Sequence, residues 1–247
     1  MSETLDYELL DFGQGRKLER FGAVTVDRPS PAADRFEQCE PERWPQATMR
    51  FERETAAQGR WTPAQPAISP WTIATGATTL ELRTTDSGQV GVFPEQADNW
   101  RWIAERVRQA DQARQAEQGR HAGRPLNVLN LFAYTGASTL AAAVAGAAVA
   151  HVDAARSAVN WARANAAHSG LVERPIRWIV EDARAFVRRE LKRGRSYDAV
   201  VLDPPSYGHG SGGQSWQFDR DLPGLLDDCR TLTGPEPAFV LLSSHTP

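Results

Sequence analysis

From Pro125 onward, the sequence alternates short apolar runs with segments of helical periodicity, and this alternation constrains the fold most. The apolar runs are rich in Val, Leu and Ala. Because buried parallel strands read as continuous apolar runs, the pattern predicts a parallel α/β sheet. The predicted strands are 126–132, 148–153, 176–182, 197–203 and 237–244, and the predicted helices are 137–146, 155–170, 183–194 and 222–233.

Residues 1–94 have a different character, with many Pro, Trp and Thr residues and short alternating runs between turn residues. This pattern predicts a small antiparallel β-rich domain over residues 1–94. Its predicted strands are 21–29, 49–54, 71–76, 78–85 and 88–94. Apolar residues then recur at helical spacing until Gly119, which predicts a connecting helix and linker over residues 95–124. The parallel sheet is expected in a third region, residues 125–247.

Composition argues against several classes of protein. The net charge of −3 gives no global attraction for polyanions, and Cys39 and Cys229 are too few and too far apart for a disulfide framework or a Cys-rich zinc site. The acidic N-terminus lacks the apolar segment of a secretory signal. The longest apolar stretch, 137–150, is mostly alanine and too short to span a bilayer. We therefore expect a soluble cytoplasmic protein with no membrane partner and no metal site.

Acidic residues follow three consecutive predicted strands. Asp153 ends the second strand, Asp182 the third, and Asp203 the fourth, directly before Pro204 and Pro205. Each acid alone is compatible with a helix N-cap. Together they predict a ligand site, because carboxyl ends of parallel strands share one edge and clustered carboxylates repel one another.

The turn after the first strand indicates which ligand. It has the single central glycine Gly136 instead of G-x-G-x-x-G, which argues against NAD and FAD, and no Walker lysine is present. Asp153, 17 residues after Gly136, is placed to bind both hydroxyls of a ribose. Asp182 and the next amide are placed to bind the exocyclic amine of an adenine. Ribose and adenine without phosphate point to S-adenosyl-L-methionine.

Four segments resemble, in order, the motifs of class I S-adenosylmethionine-dependent methyltransferases. They are "LNLFAYTGAST", "HVDAARSAVNWARANAAHSGL", "RWIVEDARAFV" and "YDAVVLDPPSYG". With "GVFPEQADNW" upstream, they are most similar to the 23S ribosomal RNA methyltransferases that modify cytosine C5 or guanine N7. The resemblance covers about residues 88–245 and implies a Rossmann-like sheet. That family pattern ends in an antiparallel hairpin after the fifth strand, whereas here the sequence stops at "LLSSHTP", so the expected sheet lacks those last strands.

The resemblance also implies site residues. Residues of the first turn would border the methionine part of the cofactor, Asp153 the ribose, and Asp182 with Ala183 the adenine. Gln96 matches the glutamine of the upstream segment. Asp203, Pro204 and Pro205 would face the methyl group and the target base. The implied turn residues are Phe132, Tyr134, Thr135 and Gly136.

The order D-P-P-S-Y indicates the chemistry. The two prolines end the strand and stiffen its exit, so the Asp203 carboxylate and the Pro204 carbonyl are candidate acceptors for a base amine. Tyr207 is a candidate for stacking on that base, or else packs on its own loop. Cytosine-C5 members of the family carry a Cys after the fifth strand, where this sequence has Ser243 and Ser244. A serine is a poor substitute for a thiolate, so we expect methylation at nitrogen.

The substrate is predicted less directly. The resemblance implies RNA, in particular ribosomal RNA. The basic segment 183–195 is compatible with phosphate contacts, and equally with a solvated helix face. His209 is a possible proton relay or a surface histidine. Two alternatives stay open: a methyltransferase acting on a small molecule or a protein, and a non-catalytic cofactor-binding module. The sequence does not indicate an oligomeric state.

Overall fold

The computed structural model describes residues 5–55, 58–63, 69–118, 124–209 and 215–244. The chain divides into two compact units, Met1–Ala97 and Asp98–Pro247, and each is described by itself. Among the described residues, no helix is both long enough and apolar enough to cross a membrane.

The N-terminal unit is built on a five-stranded sheet in chain order. Its strands are β1 (Tyr7–Gly13), β2 (Arg16–Phe21), β3 (Val24–Pro29), β4 (Met49–Arg53) and β5 (Gly59–Thr62). Neighbouring strands are antiparallel except β3 and β4, which run parallel. A separate antiparallel hairpin consists of β6 (Trp71–Thr75) and β7 (Thr78–Leu82). The predicted small β-rich domain is confirmed, with one parallel pair added.

Two strand predictions in this unit are wrong in detail. The predicted strand 21–29 begins later, at Val24 of β3, because Gly22 has a φ of +62° and forms the turn between β2 and β3. The predicted strand 88–94 is not a strand. Gly88 and Gly91 have φ values of +81° and +96°, so the chain folds back and the Arg83 amide donates to the Val90 carbonyl at 3.2 Å.

A buried ion pair lies within the N-terminal sheet. The Glu19 side chain is fully buried and accepts hydrogen bonds from Arg28 Nε at 2.5 Å and Tyr7 Oη at 3.0 Å. Burial alone would raise the Glu19 pKa, but the hydrogen bonds and charge of Arg28 outweigh it and hold the pKa below its usual range. The carboxylate therefore stays charged inside the sheet, paired with the guanidinium.

The second unit alternates strands and helices around a parallel sheet. It contains α1 (Ala97–Gln118), β8 (Asn127–Leu131), α2 (Ala137–Val144), β9 (Ala148–Asp153), α3 (Arg156–His168), β10 (Ile176–Val180), α4 (Ala183–Lys192), β11 (Ala199–Leu202), β12 (Tyr207–His209), β13 (Ser215–Gln217), α5 (Phe218–Thr233) and β14 (Phe239–Leu242). The strand order in the main sheet is β10-β9-β8-β11-β14, and every pair is parallel. This confirms the Rossmann-like α/β prediction.

Both faces of this sheet are covered. One face packs Val152 and Leu202 against Phe186 of α4 and Leu225 of α5. The opposite face packs Val149 and Val201 against α1 and α2, through residues that include Ile103, Val107 and Ala142. Burial on both faces explains why the strands read as continuous apolar runs in the sequence.

The segment between β11 and α5 differs from its prediction. β12 and β13 form a short antiparallel hairpin that the sequence did not indicate. The helix predicted over residues 222–233 begins earlier, at Phe218, and accommodates Pro223 within it. Among residues 124–209 and 215–244, the main sheet contains no antiparallel strand.

Candidate active site at the carboxyl edge of the sheet

The three candidate acids follow adjacent parts of one sheet edge. Asp153 is the last residue of β9, Asp182 follows β10, and Asp203 follows β11. β8 lies between β9 and β11, so the chain changes direction across the sheet at β8. Ligands of open α/β sheets bind in the crevice at such a switch point, beyond the carboxyl ends of the strands.

The turn between β8 and α2 has a strained backbone. Phe132 and Tyr134 are non-glycine residues with φ values of 55° and 47°. Such conformations are unfavourable for L-residues, persist only where the surroundings impose them, and cluster at functional sites. Here the Phe132 ring packs at 4.8 Å from the Trp216 ring, and Tyr134 lies at 6.4 Å from Trp161. The turn is thus held in one shape by aromatic packing on both sides.

Gly136 is required by close packing as well as by its backbone. Its φ is +92°, and a Cβ at this position would lie 2.9 Å from the Ala162 Cβ of α3. The preceding residue, Thr135, is buried, and its carbonyl accepts a hydrogen bond from Asn165 Nδ2 at 2.8 Å. The first turn is therefore docked onto α3, which fixes the start of α2 and leaves no room for a larger residue.

Asp153 is oriented by two backbone amides. Tyr134 N donates to Oδ2 and Ala155 N donates to Oδ1, both at 2.8 Å. Burial raises the pKa of this carboxyl, while the two amide bonds oppose that rise. Each oxygen keeps a second lone pair, and the carboxylate is aimed by the turn beside it. These two acceptor oxygens fit a ribose that presents two adjacent hydroxyls as donors.

Asp182 is the N-cap of α4. The sequence was compatible with this structural function as well as with binding an adenine. Its Oδ1 accepts a hydrogen bond from Ala185 N at 3.1 Å. Ala183, the first residue of the helix, is buried. The cap explains Asp182 without a ligand. Contact of Asp182 and Ala183 with an adenine therefore stays a prediction.

Asp203 is held by Ser243, a contact that the sequence did not predict. Ser243, after β14, donates from Oγ to Asp203 Oδ1 at 2.6 Å, and its amide donates to the Leu202 carbonyl at 3.0 Å. The parallel register that pairs Leu202 with Leu242 places these two residues side by side. The sequence indicates this contact only in that Asp203 and Ser243 each follow the last residue of a strand.

The residues after Asp203 lead into the β12–β13 hairpin. Pro204 is buried and Pro205 is exposed, and the Pro205 carbonyl accepts a hydrogen bond from Trp216 Nε1 at 2.7 Å. Tyr207 begins β12, and 54% of its surface is exposed. The ring is thus accessible to a planar ligand. The side chain of His209 lies outside the described residues.

Gln96 belongs to the N-terminal unit. It is buried within a short 3₁₀ helix, Pro94–Gln96, whereas the other candidate residues belong to the second unit. Its predicted part in the cofactor site therefore stays a prediction. The described residues contain no cluster of His, Cys, Asp and Glu side chains suited to a metal ion.

A buried polar group beneath the first turn also escaped the sequence analysis. Thr139 Oγ1 accepts from Asn130 Nδ2 at 2.8 Å and lies 2.9 Å from His151 Nδ1. Burial, with a smaller contribution from the charge of Arg163, lowers the His151 pKa to about 3, so the imidazole is neutral. In the sequence, this group is indicated by the polar residues Asn130 and His151 within apolar strands. In the structure, the three side chains link β8, α2 and β9 behind Gly136.

Comparison with known proteins agrees with this geometry. A family model described as S-adenosylmethionine-dependent methyltransferase matches residues 49–235. A solved SAM-dependent methyltransferase from Agrobacterium tumefaciens is 39% identical, with a TM-score of 0.86 over 99% of this chain and 75% of that chain.

Two curated relatives are named as ribosomal RNA enzymes. Ribosomal RNA large subunit methyltransferase I of Shewanella denitrificans is 39% identical over 59% of this chain, and methyltransferase K/L of Shewanella frigidimarina is 32% identical over 44%. The matched parts are 32% and 15% of those relatives, so they cover less than a third of either protein. The family match, which spans most of the chain, supports the broader conclusion: this chain belongs to the S-adenosylmethionine-dependent methyltransferase family.

Proposed function

We propose that this protein transfers a methyl group from S-adenosyl-L-methionine to a nitrogen of a base in ribosomal RNA. The family supplies the cofactor and the type of reaction. The relatives named as ribosomal RNA large subunit methyltransferases support the substrate class. The choice of nitrogen is supported by Ser243, which lies beside Asp203 after the fifth strand, where the resemblance implies the thiol of the cytosine-C5 enzymes.

The cofactor is assigned to the carboxyl edge of the sheet. Asp153 would accept hydrogen bonds from the two ribose hydroxyls, and Asp182 with Ala183 would border the adenine. The turn residues Phe132, Tyr134, Thr135 and Gly136 would line the methionine part, and Gln96 is assigned to the same pocket. The cofactor supplies an activated methyl group on a sulfonium, so the protein has to orient the acceptor and exclude water.

The acceptor is assigned to the segment after β11. The Asp203 carboxylate and the Pro204 carbonyl would accept hydrogen bonds from the base and aim the nitrogen lone pair at the methyl group. The prolines hold these acceptors in place, and Pro205 is fixed further through its carbonyl bond to Trp216. The exposed Tyr207 ring would stack on a base removed from its helix.

The available thiols support nitrogen chemistry. Methylation at cytosine C5 needs a thiolate that attacks C6. Cys229 is buried, and burial raises its pKa to about 12, so it remains a neutral thiol at physiological pH. Cys39 belongs to the N-terminal unit, far in sequence from the Asp203 segment. A ribosomal RNA substrate also assigns the protein to the cytoplasm.

Methyl transfer to ribosomal RNA tests this proposal. The full chain is incubated with labelled S-adenosylmethionine and a ribosomal RNA fraction, and the RNA is digested to nucleosides. We expect label in one N-methylated nucleoside, and its rate of labelling should be about two to three orders of magnitude lower with Asp203→Ala. In parallel, RNA that contains 5-fluorocytosine should give no denaturation-resistant complex. A covalent complex that depends on Cys229 would overturn nitrogen chemistry.

The same assay separates the alternatives. Label that enters small molecules or proteins, and not RNA, would assign the enzyme to another substrate class. Cofactor binding by calorimetry without transfer to any fraction would favour a non-catalytic cofactor-binding module.

A further inference from the structure

A basic surface lies at the edge of the sheet opposite the candidate active site. Its residues precede or begin strands, or follow α4: Arg124, Arg174, Arg177, Arg193 and Arg195. Because all the strands are parallel, these residues are at the amino ends, away from Asp153 and Asp203. We call this set the amino-edge surface. It is local, since the whole chain has a net charge of −3.

Two carboxylates at this edge each interact with two arginines, so they do not neutralise the positive charge of the amino-edge surface. Asp198 accepts from Arg124 at 2.7 and 2.9 Å and from Arg114 at 2.5 Å. Glu190, whose side chain is 1% exposed, lies 3.5 Å from Arg177 and 3.4 Å from Arg193. Each of these two carboxylates thus faces two guanidinium groups. Glu173 and Glu236 also precede strands at this edge, so six arginines, counting Arg114, outnumber four acids there.

Two further arginines at this edge have no ion-pair partner among the described residues. Arg174 and Arg195 are exposed and form no ion pair within the described ranges. Arg195, Arg124 and Arg177 also line a recess of about 330 Å³, together with Asn127, Ser196 and the buried Glu190 that pairs with Arg177. Guanidinium groups with amide and hydroxyl donors around a recess suit the oxygens of a phosphate.

Helix stabilisation does not account for this surface. Basic side chains at a helix C-terminus offset the helix dipole, and Lys192 and Arg193 at the end of α4 fit that explanation. Arg124, Arg174 and Arg195 lie outside helices, and Arg177 lies in β10. Their clustering therefore needs another reason.

The opposite edge has less positive charge in excess. Its acids include Asp153, Asp182 and Asp203, and the nearby Arg184 and Arg220 pair with Asp182 and Asp221, so an RNA chain gains little net attraction there. A strand of five residues spans about 17 Å, so a single RNA can contact both edges. RNA binding by this family member would then depend on charge supplied away from the methyl-transfer site.

We infer that the amino-edge surface binds the phosphate backbone of the RNA substrate while a base is presented to Asp203 at the opposite edge. This inference rests on the proposed RNA substrate. It adds a second contact region, formed by arginines that bind backbone and carry no sequence specificity.

The test compares two double variants of the full chain with equal loss of charge. Arg174→Ala with Arg195→Ala removes the two unpaired arginines and leaves the internal ion pairs intact. Arg106→Ala with Arg108→Ala, two exposed arginines of α1 without an ion pair among the described residues, is the matched control. Binding of a fluorescein-labelled RNA hairpin is measured by anisotropy over a range of salt concentrations, with inorganic phosphate as competitor. Calorimetry with S-adenosylhomocysteine shows that each variant is folded.

We expect the amino-edge variant to bind RNA at least tenfold more weakly than the control. The slope of log affinity against log salt should fall by about 1 to 2, in line with loss of two phosphate contacts. Equal affinity of the two variants, or a wild type that binds no RNA, would overturn the inference, as would full competition by millimolar inorganic phosphate. If the variant loses RNA binding but the wild type methylates no RNA, the proposed function is wrong and the inference about the amino-edge surface stands.

Discussion

Ser243 donates a hydrogen bond to Asp203 across the last two strands of the sheet, with Oγ and Oδ1 2.6 Å apart. The partners are 40 residues apart in sequence and are brought together by the register of β11 and β14. This bond fixes the orientation of the carboxylate at the end of β11. Ser243 is a positioning residue for Asp203 in the proposed reaction.

Ser243→Ala should slow methyl transfer without weakening cofactor binding. A hydrogen bond to a charged group contributes about 1.5–3 kcal/mol, so the single-turnover rate should fall roughly tenfold or more. The neighbouring Ser244→Ala is the control. If Ser243→Ala and Ser244→Ala have equal rates, Ser243 does not orient the carboxylate. Ser243→Thr keeps the hydroxyl and should recover part of the rate.

Asp203→Ala should reduce transfer by about two to three orders of magnitude, the range for loss of one positioned polar group. Cofactor affinity should change little, because an interaction made mainly in the transition state affects turnover more than binding. Single-turnover methylation beside a cofactor titration measures both. A parallel loss of affinity and rate would place Asp203 in the cofactor pocket instead.

Tyr207→Ala should weaken RNA binding by about 1–3 kcal/mol, the contribution of one stacked base. Tyr207→Phe keeps the ring and should bind RNA as the wild type does. Fluorescence anisotropy with the substrate RNA distinguishes the two variants. Unchanged affinity in Tyr207→Ala would assign the ring a structural function in the β12–β13 hairpin.

Asp153→Ala should lower affinity for S-adenosylhomocysteine at least tenfold, because two ribose hydroxyls lose a charged acceptor. In the wild type, affinity should fall as the pH drops and the carboxyl is protonated. Since burial raises the pKa of Asp153, this fall should begin at a higher pH than for an ordinary aspartate. Isothermal calorimetry as a function of pH decides this, and unchanged affinity in the variant would remove Asp153 from the site.

Acid stability should depend on Asp198. Burial would raise its pKa, but hydrogen bonds from Arg124, Arg114 and the Asn127 amide outweigh this and lower the pKa to about 2. Since the folded-state pKa lies below the unfolded one, the stabilisation is present above about pH 4 and is lost as the pH falls towards 2. The lost free energy of unfolding is about 2 kcal/mol.

Urea unfolding at pH 7, 5 and 3, followed by tryptophan fluorescence, measures this effect. Asp198→Asn should be less stable than the wild type at pH 7 and should show a smaller loss on acidification. Asp227→Asn, which alters an exposed carboxylate, is the control. Identical pH profiles for all three proteins would contradict the assignment to Asp198.

The parallel sheet was predictable because its strands are buried on both faces. β2 was not predicted, since its Arg, Lys and Glu residues read as exposed. Its Glu19 is in fact fully buried, and the pairing with Arg28 of β3, together with Lys17 and Tyr7, makes that possible. The false strand at 88–94 shows the opposite case: Val90 and Val92 are buried, but Gly88 and Gly91 turn the chain.

The position of the candidate site was also predictable from the pattern of apolar strands. Parallel strands place Asp153, Asp182 and Asp203 at one edge, and the sequence shows each acid directly after an apolar run. The contacts of these acids were not predictable. Asp182 serves as a helix cap through Ala185, and Asp203 is held by Ser243 from a distant part of the chain. Such contacts depend on register, which a single sequence does not reveal.

The strand order has a consequence for synthesis on the ribosome. β9 and β10 follow β8 closely in sequence and lie on one side of it in the sheet. The other side of β8 is covered by β11, which comes much later: Asp198, just before β11, is 71 residues beyond Asn127, the first residue of β8. A nascent chain therefore carries an uncovered edge of β8 until β11 has emerged. Unpaired edges are templates for association with other chains. Chaperone dependence and co-translational aggregation of this protein should be greatest during that interval, before β11 emerges.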